Sequence, residues 1–429
     1  MRLLLLTALS ILFSSPFIHA QHSKCSTVEH WEAVKRKDPG AEQRRLVAEA
    51  DIKRIVDSKI ADRTTGVITI PVVVHVIYNT NAENISEAQI NSQIDALNKD
   101  FRNKNTDSLA TSHPFYSLVA DCGLQFCLAT KDPSGNVSTG ITRTKTDTTG
   151  FSGKFDAMKR TATGGMNNWE PTKYLNIWVC NLLDNSGGVL GYATLPSDLS
   201  AFPADDGLVV DYRVFGTVGE AGNGYPDNAL GRTTTHEVGH WLNLSHIWGD
   251  AQCGNDQVDD TPPQFGPNES ICPTFPHNDS SICGTDSLGE MYMNYMDYVT
   301  DQCMVMFSKG QKARMLAVLS GIRSTIVTSA VSACSATTTS VADNVIDFEI
   351  NVFPNPLVSY FNVSVAKGGA KDVKVTVFDL TGQQVKSVAA ATNTNGLLRV
   401  NMADKPIGTY FVKVEVGEQI VYKKVVLNR

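Results

Sequence analysis

Three of the chain's nine histidines fall within eleven residues, His236-Glu-Val-Gly-His-Trp-Leu-Asn-Leu-Ser-His246, and that spacing dictates the local structure. On a helix, His236 and His240 at i and i+4 project from one face and can share one ion. His246 can join them only if the helix stops and the chain turns back. The turn needs a residue that tolerates a left-handed backbone. Glycine is the usual choice, and asparagine, which stands at position 243, is the next best. Three imidazoles suit Zn²⁺, which in catalytic sites keeps a fourth position open for water. Glu237 stands beside the first histidine, where it can take a proton from a zinc-bound water. A structural zinc site is closed by four protein ligands. The motif therefore favours a hydrolytic site over the alternative, an exported binding or adhesion protein with a structural zinc.

The first twenty residues are an address rather than part of the fold. Arg2, the apolar run Leu3–Phe13 and the small residue Ala20 give the layout of a secretory signal peptide covering residues 1–20. No later stretch approaches the ~18 apolar residues of a membrane span. A net charge of −7 gives no support for a nucleic-acid partner, which would need clustered Lys and Arg. Export permits disulfides. There are nine cysteines, and an odd count leaves at least one outside intramolecular pairs. Cys25, isolated near the mature N-terminus, is the first candidate.

Residues 21–57 are highly charged and read as a helical arm, without the apolar content for a large core of its own. From Gly66 the texture changes. Val67–Tyr78 is rich in β-branched residues and reads as a strand. Ser86 caps a helix whose Ile90, Ile94 and Leu97 form an apolar stripe. Further strands are expected at Leu124–Ala129, Tyr174–Cys180 and Leu208–Val214, and helices at Thr233–Leu242 and about 311–327. Residues 58–334 thus form an α/β (α+β) domain with a twisted mixed sheet. An uncharged stretch marks a linker at 335–344. Beyond it, seven short alternating segments separated by Gly, Asn and Pro turns make residues 345–429 an all-β, immunoglobulin-like sandwich.

Beyond the histidine motif, Met293-Asn-Tyr-Met-Asp-Tyr298 supplies a Met-containing turn. Together with HEVGHWLNLSHIWGD, a Cys- and Asp-rich loop reaching DTP, and a Cys before MFS, it resembles the pappalysin (cytophagalysin) branch of the metzincin metallopeptidases. The resemblance spans about residues 66–330. It implies a secreted zinc endopeptidase acting on protein or peptide substrates, with Met296 beneath the metal and Tyr298 stabilising the tetrahedral intermediate. It also implies the disulfides Cys253–Cys283 and Cys272–Cys303, and a structural Ca²⁺ held by Asp256, the Val258 carbonyl, Asp260 and Thr261. By its own chemistry the acidic run 255–261 suits a solvated turn equally well. Family members that cut before Arg or Lys have an acidic residue soon after the last cysteine of this region. Here Cys303 is followed by Met304-Val305-Met306, with Asp301 before it, so a strict basic preference is not expected.

The C-terminal module, with VFPNP, VFDLTGQQV and IGTYFVKVEV, resembles the type IX secretion sorting domain. That implies the type IX machinery as a partner and a secreted or cell-surface location; a generic adhesive sandwich is the alternative. Related pappalysins have a short prosegment whose cysteine occupies the zinc. By that resemblance Cys25 is a latency ligand and residues 21–57 a propeptide, with basic cleavage sites at Arg44-Arg45 and Lys53-Arg54. A disulfide from Cys25 to another cysteine is the competing possibility.

Overall fold

The β-branched run expected as a strand becomes the centre of a six-stranded sheet. Ile68–Tyr78 (β1) is buried on both faces from Ile70 to Ile77, as a strand covered on two sides must be. Along one edge β1 pairs in parallel with Leu124–Leu128 (β2) and then with Ile141–Lys145 (β3); Leu175–Cys180 (β4) runs parallel along the other. Gly191–Ala193 (β5) closes the far edge, antiparallel to Leu208–Asp211 (β6), which itself pairs in parallel with β4.

The coordinates are a computed structural model that describes residues 24–58, 66–151, 156–183, 189–277, 283, 288–334, 349–366, 372–379, 383–391, 397–416 and 419–428. The signal segment 1–20 and the linker 335–344 lie outside them. Among the described residues no helix is long and apolar enough to cross a membrane.

Six α-helices are described in the first unit: Thr27–Lys37 (α1), Ala41–Asp57 (α2), Glu87–Asp100 (α3), Arg232–Trp241 (α4), Lys309–Ser320 (α5) and Ser324–Ala333 (α6). Ser86 Oγ caps α3 by accepting from the Gln89 amide at 3.1 Å. The helix lays Ile90, Ile94 and Leu97 into the main core beside Val238 and Trp241 of α4. The segment read as one helix over 311–327 is two: α5 opens with a reciprocal Ser308/Gln311 capping box, and the chain breaks at Gly321. The charged arm is less peripheral than its composition suggests, because Cys25, Ile52 and Ile55 belong to the main core. Its first half, which shows little apolar periodicity, forms α1.

A disulfide from Cys127 in β2 to Cys334 after α6 ties the end of this unit back to its sheet. The chain divides into compact units at Ser335 and Ala336. In the second, seven strands form two antiparallel sheets around one core that includes Phe361, Val375, Val400 and Val414. They are Glu349–Phe353 (β7), Tyr360–Ala366 (β8), Asp372–Phe378 (β9), Gln384–Ala391 (β10), Leu397–Asn401 (β11), Gly408–Val416 (β12) and Gln419–Leu427 (β13). The sheet orders are β10-β9-β12-β13 and β11-β8-β7.

Candidate metal centre and active site

Helix α4 carries His236, Glu237 and His240, and its end is built as the spacing requires. Asn243 adopts a left-handed backbone, φ 66°. The Asn243 amide donates to the His240 carbonyl at 2.8 Å and the Leu244 amide to the Gly239 carbonyl at 2.9 Å, the paired bonds of a Schellman turn. The chain then reverses and delivers His246. Gly239 is required by packing: a Cβ there would lie 2.4 Å from Met296 Sδ, so the Met296 thioether sits directly against the helix between the two histidines. The Ile247 amide donates to the Met296 carbonyl at 3.1 Å, tying the returning chain to that turn.

The three imidazoles converge. His240 Nε2 lies 3.1 Å from both His236 Nε2 and His246 Nε2. Each Nδ1 is occupied on the far side: His236 on the Tyr295 carbonyl and His240 on the Leu244 carbonyl, both at 2.7 Å, and His246 on Asp250 Oδ1. With Nδ1 as the donor, each Nε2 is a lone pair aimed at a common point. Three buried lone pairs facing one another repel unless a cation lies between them, so the donor set fits a metal ion. Burial, reinforced by the neighbouring imidazoles, pushes His236 well below the usual histidine range and His240 down to about 3, so both are neutral, as ligation requires. Asp250, four residues past His246, orients that imidazole from behind, a role that an i+4 carboxylate after a ligand histidine makes readable in a sequence.

The arm reaches this point. Cys25 Sγ and the three imidazoles place their ligand atoms within 4.8 Å of one another. Lys24 and Ser26 hydrogen-bond to β5 through the Leu190 amide (3.2 Å) and the Gly191 carbonyl (3.0 Å), so Cys25 runs parallel to that edge strand. Cys25 Sγ donates to Glu237 Oε2 at 3.5 Å. Thr27, which sequence reading missed, donates its hydroxyl to the same oxygen at 3.0 Å and accepts the Ala193 amide at 2.9 Å. Burial pushes Glu237 up to about 8, and its Oε1 is buried with no hydrogen-bond partner. Tyr298 lies with its hydroxyl 3.0 Å from His246 Nε2 and donates to the Cys25 carbonyl at 3.3 Å.

Lys24, next to Cys25, is buried. Its ammonium donates to the Val299 carbonyl among the carboxylates of Asp301, Asp297, Asp227 and Glu269. The sequence placed no acidic residue after Cys303, yet the fold collects acidity here from residues before it. The Asp301 carboxylate is fixed by the Leu230 amide at 2.9 Å. On the other flank Glu49 of α2 receives Asn243 Nδ2 at 2.7 Å and Arg314 Nη2 at 2.8 Å.

The loop after His246 is stapled by Cys253–Cys283 and Cys272–Cys303. Within it Asp256, Val258 and Thr261 come together: the Thr261 hydroxyl lies 2.7 Å from Asp256 Oδ2 and 2.9 Å from the Val258 carbonyl. Asp260 faces elsewhere, accepting from Ser308 Oγ at 2.6 Å and the Gly310 amide at 2.9 Å at the start of α5.

A mixed sheet, a catalytic-type helix ending in a turn, and a histidine triad over a methionine define a metzincin-type metallopeptidase. Residues 162–320 match the peptidase family described as pregnancy-associated plasma protein-A, and residues 351–428 match the secretion system C-terminal sorting domain. An extracellular metalloprotease of Podospora anserina is 30% identical over 261 residues, 59% of this chain and 74% of that protein. Extracellular metalloprotease 1 of Coccidioides posadasii is 39% identical over 143 residues, 33% of this chain and 48% of its own length. A solved promirolysin mutant from Tannerella forsythia superposes with a TM-score of 0.66 and 44% identity over 73% of this chain and all of that one. Mature mirolysin with a cleaved peptide gives 0.59 and 47%, covering 63% of this chain and all of that one. The chain belongs to the pregnancy-associated plasma protein-A (pappalysin) family of zinc metallopeptidases. It is a secreted metallopeptidase made as a zymogen, and it carries a type IX sorting domain; membership decides against the adhesion reading.

Proposed function

We propose that the protein is a zinc endopeptidase in which His236, His240 and His246 hold the ion, Glu237 is the general base and residues 21–57 are a propeptide that blocks the site through Cys25. The observation that carries this is the convergence of three imidazole Nε2 atoms beside a buried carboxylate. Zinc, when bound, supplies Lewis acidity that acidifies water and polarises a peptide carbonyl. Glu237 takes the proton of the attacking water and passes it to the departing amine. A low-dielectric setting favours this role because it makes the carboxylate more basic. The Tyr298 hydroxyl, which in the zymogen donates to the Cys25 carbonyl, donates to the substrate carbonyl oxygen as charge builds there.

In the latent form Cys25 Sγ takes the fourth ligand position and Thr27 occupies the base. Burial and Glu237 push the Cys25 thiol up; a divalent cation would draw it down to the thiolate that ligates. Lys24, whose ammonium donates to the Val299 carbonyl within the field of Asp301 and Asp297, supports cleavage before basic residues. We assign calcium to Asp256, Val258 and Thr261, with Asp260 bracing α5.

The test is Glu237→Ala in the matured enzyme. It should retain zinc by elemental analysis and lose about 10²–10⁴-fold in kcat, whereas His236→Ala should lose metal. Near-normal turnover by Glu237→Ala would remove the general-base assignment.

A further inference from the structure

Helix α1 occupies a second place beside the cleft. The His30 imidazole lies stacked on the Tyr192 ring, centroids 5.0 Å apart and planes 28° apart, and its Nε2 is 3.1 Å from Asp156 Oδ2. Tyr192 belongs to the edge strand β5, but its ring packs with Trp178, Met158 and Val209, a cluster separate from the one that holds α4. The His30–Tyr192 contact therefore lies across β5 from Glu237, against which the neighbouring Gly191 packs.

The groups around it are fixed. The Asp156 amide donates to the Tyr192 hydroxyl at 3.1 Å. Lys159, with a fully buried side chain, pairs with Asp156 Oδ1 at 2.8 Å and donates to Thr194 Oγ1 at 3.1 Å and the Asp205 carbonyl at 2.7 Å. Burial alone would raise the Asp156 carboxyl; the Lys159 charge and the His30 hydrogen bond overcome it and hold the group well below the usual carboxylate range. One carboxylate oxygen is thus anchored inward and the other is turned to His30, which is 2% exposed.

When the arm leaves, His30 leaves with it. An aromatic face and a carboxylate oxygen then open together beside β5, the strand along which Cys25 runs in the arm. A planar cation matches both, stacking on the ring and donating a charge-assisted hydrogen bond. We propose that Tyr192 and Asp156 form a second substrate-recognition site of the mature enzyme. It takes an arginine or protonated histidine side chain on the side of the scissile bond opposite the one Lys24 marks, and in the zymogen His30 fills it. This inference rests on the peptidase reading above.

The test uses the matured enzyme and paired fluorogenic peptides with arginine fixed after the scissile bond. Each pair carries arginine or its neutral isostere citrulline at one scanned position before that bond. Wild type should favour arginine roughly tenfold in kcat/KM at one position, the scale of a hydrogen bond to a charged partner. Asp156→Asn should abolish that ratio, and Tyr192→Phe, which keeps the ring, should preserve it. Because the ratio is taken within one enzyme preparation, partial misfolding of a variant cancels. A ratio near one at every position in wild type, or a ratio retained in Asp156→Asn, would overturn the assignment while leaving the peptidase intact. Failure to cleave both these peptides and a generic unfolded protein substrate would overturn the peptidase reading, and this one with it.

Discussion

Replacing Asp206 by alanine tests how the metal centre is braced from behind. Asp206 and Arg323 are buried, with side chains 0% and 1% exposed. The guanidinium donates to both carboxylate oxygens, at 2.6 and 2.9 Å, and through Nε to the Trp241 carbonyl at 3.0 Å. It also lies 3.9 Å from the centroid of the Trp241 ring, whose Nε1 donates back to Asp206 at 3.2 Å. Trp241 is the last residue of α4 and adjoins His240. Removing the carboxylate strands a buried guanidinium and an indole donor at once. Breaking a buried pair from one side costs about 3–5 kcal/mol, which for a domain of this size lowers the melting temperature by roughly 10 °C. Replacing both partners, as Asp206→Leu with Arg323→Met, leaves no buried charge and should recover most of the loss. Zinc affinity, measured by chelator competition, should fall about 10–100-fold in the single variant, the usual cost of losing support behind a ligand. Thermal melts of the zymogen and its variants make the comparison. If Asp206→Ala melts within about 2 °C of wild type with unchanged metal affinity, the pair does not brace α4.

Calcium should raise the melting temperature of a chelated sample by mass action on the folded state, and an unchanged melt across the titration would remove the calcium assignment. Burial pushes Asp256 up to about 6. Without calcium the folded protein therefore favours the protonated acid, and that contribution to stability is lost as pH rises through about 6. Calcium needs the carboxylate, so its stabilisation should shrink as pH falls below about 6. Deleting residues 341–429 should block surface delivery and spare catalysis, since the sandwich holds no candidate catalytic side chain; normal levels of truncated protein in the medium would refute this. Cys25→Ala should mature prematurely, and a variant as latent as wild type would show that Thr27 and Lys24 suffice without the thiol.

The local order of the site was legible in the sequence because it is set by local rules. The i, i+4 histidines need a helix, and Asn243 tolerates the left-handed turn. The contributions that escaped are long-range. Thr27 reaches Glu237 across 210 positions, and the Lys24 ammonium meets the Val299 carbonyl across 275, within the field of Asp301. No local periodicity reports such pairings. Composition also misled about the arm: a helix rich in charge still buries Ile52 and Ile55, since two apolar residues three apart are enough to seat one face of α2.

The same contrast separates the two basic sites that look equivalent in the sequence. Arg44 is engaged by Asp38 at 2.6 Å and Asp198 at 3.3 Å, and Arg45 lies 4.3 Å from the centroid of the Trp31 ring, so a protease would have to dismantle the arm's own contacts to reach that bond. Lys53 and Arg54 have side chains 71% and 67% exposed, held only by surface ion pairs to Asp57 and Asp51, which contribute little. They stand in the last turns of α2, where helices fray first. A cut there separates the arm from the domain while Ile52, Glu49, Thr27 and Cys25 remain docked. Release then depends on the sum of several modest contacts that are no longer tethered. Covalent connection to the domain keeps the arm at high effective concentration, and losing it turns an intramolecular inhibitor into a dilute peptide. On the proposed Cys25 latency, the intact chain should therefore count as much as the thiol ligand.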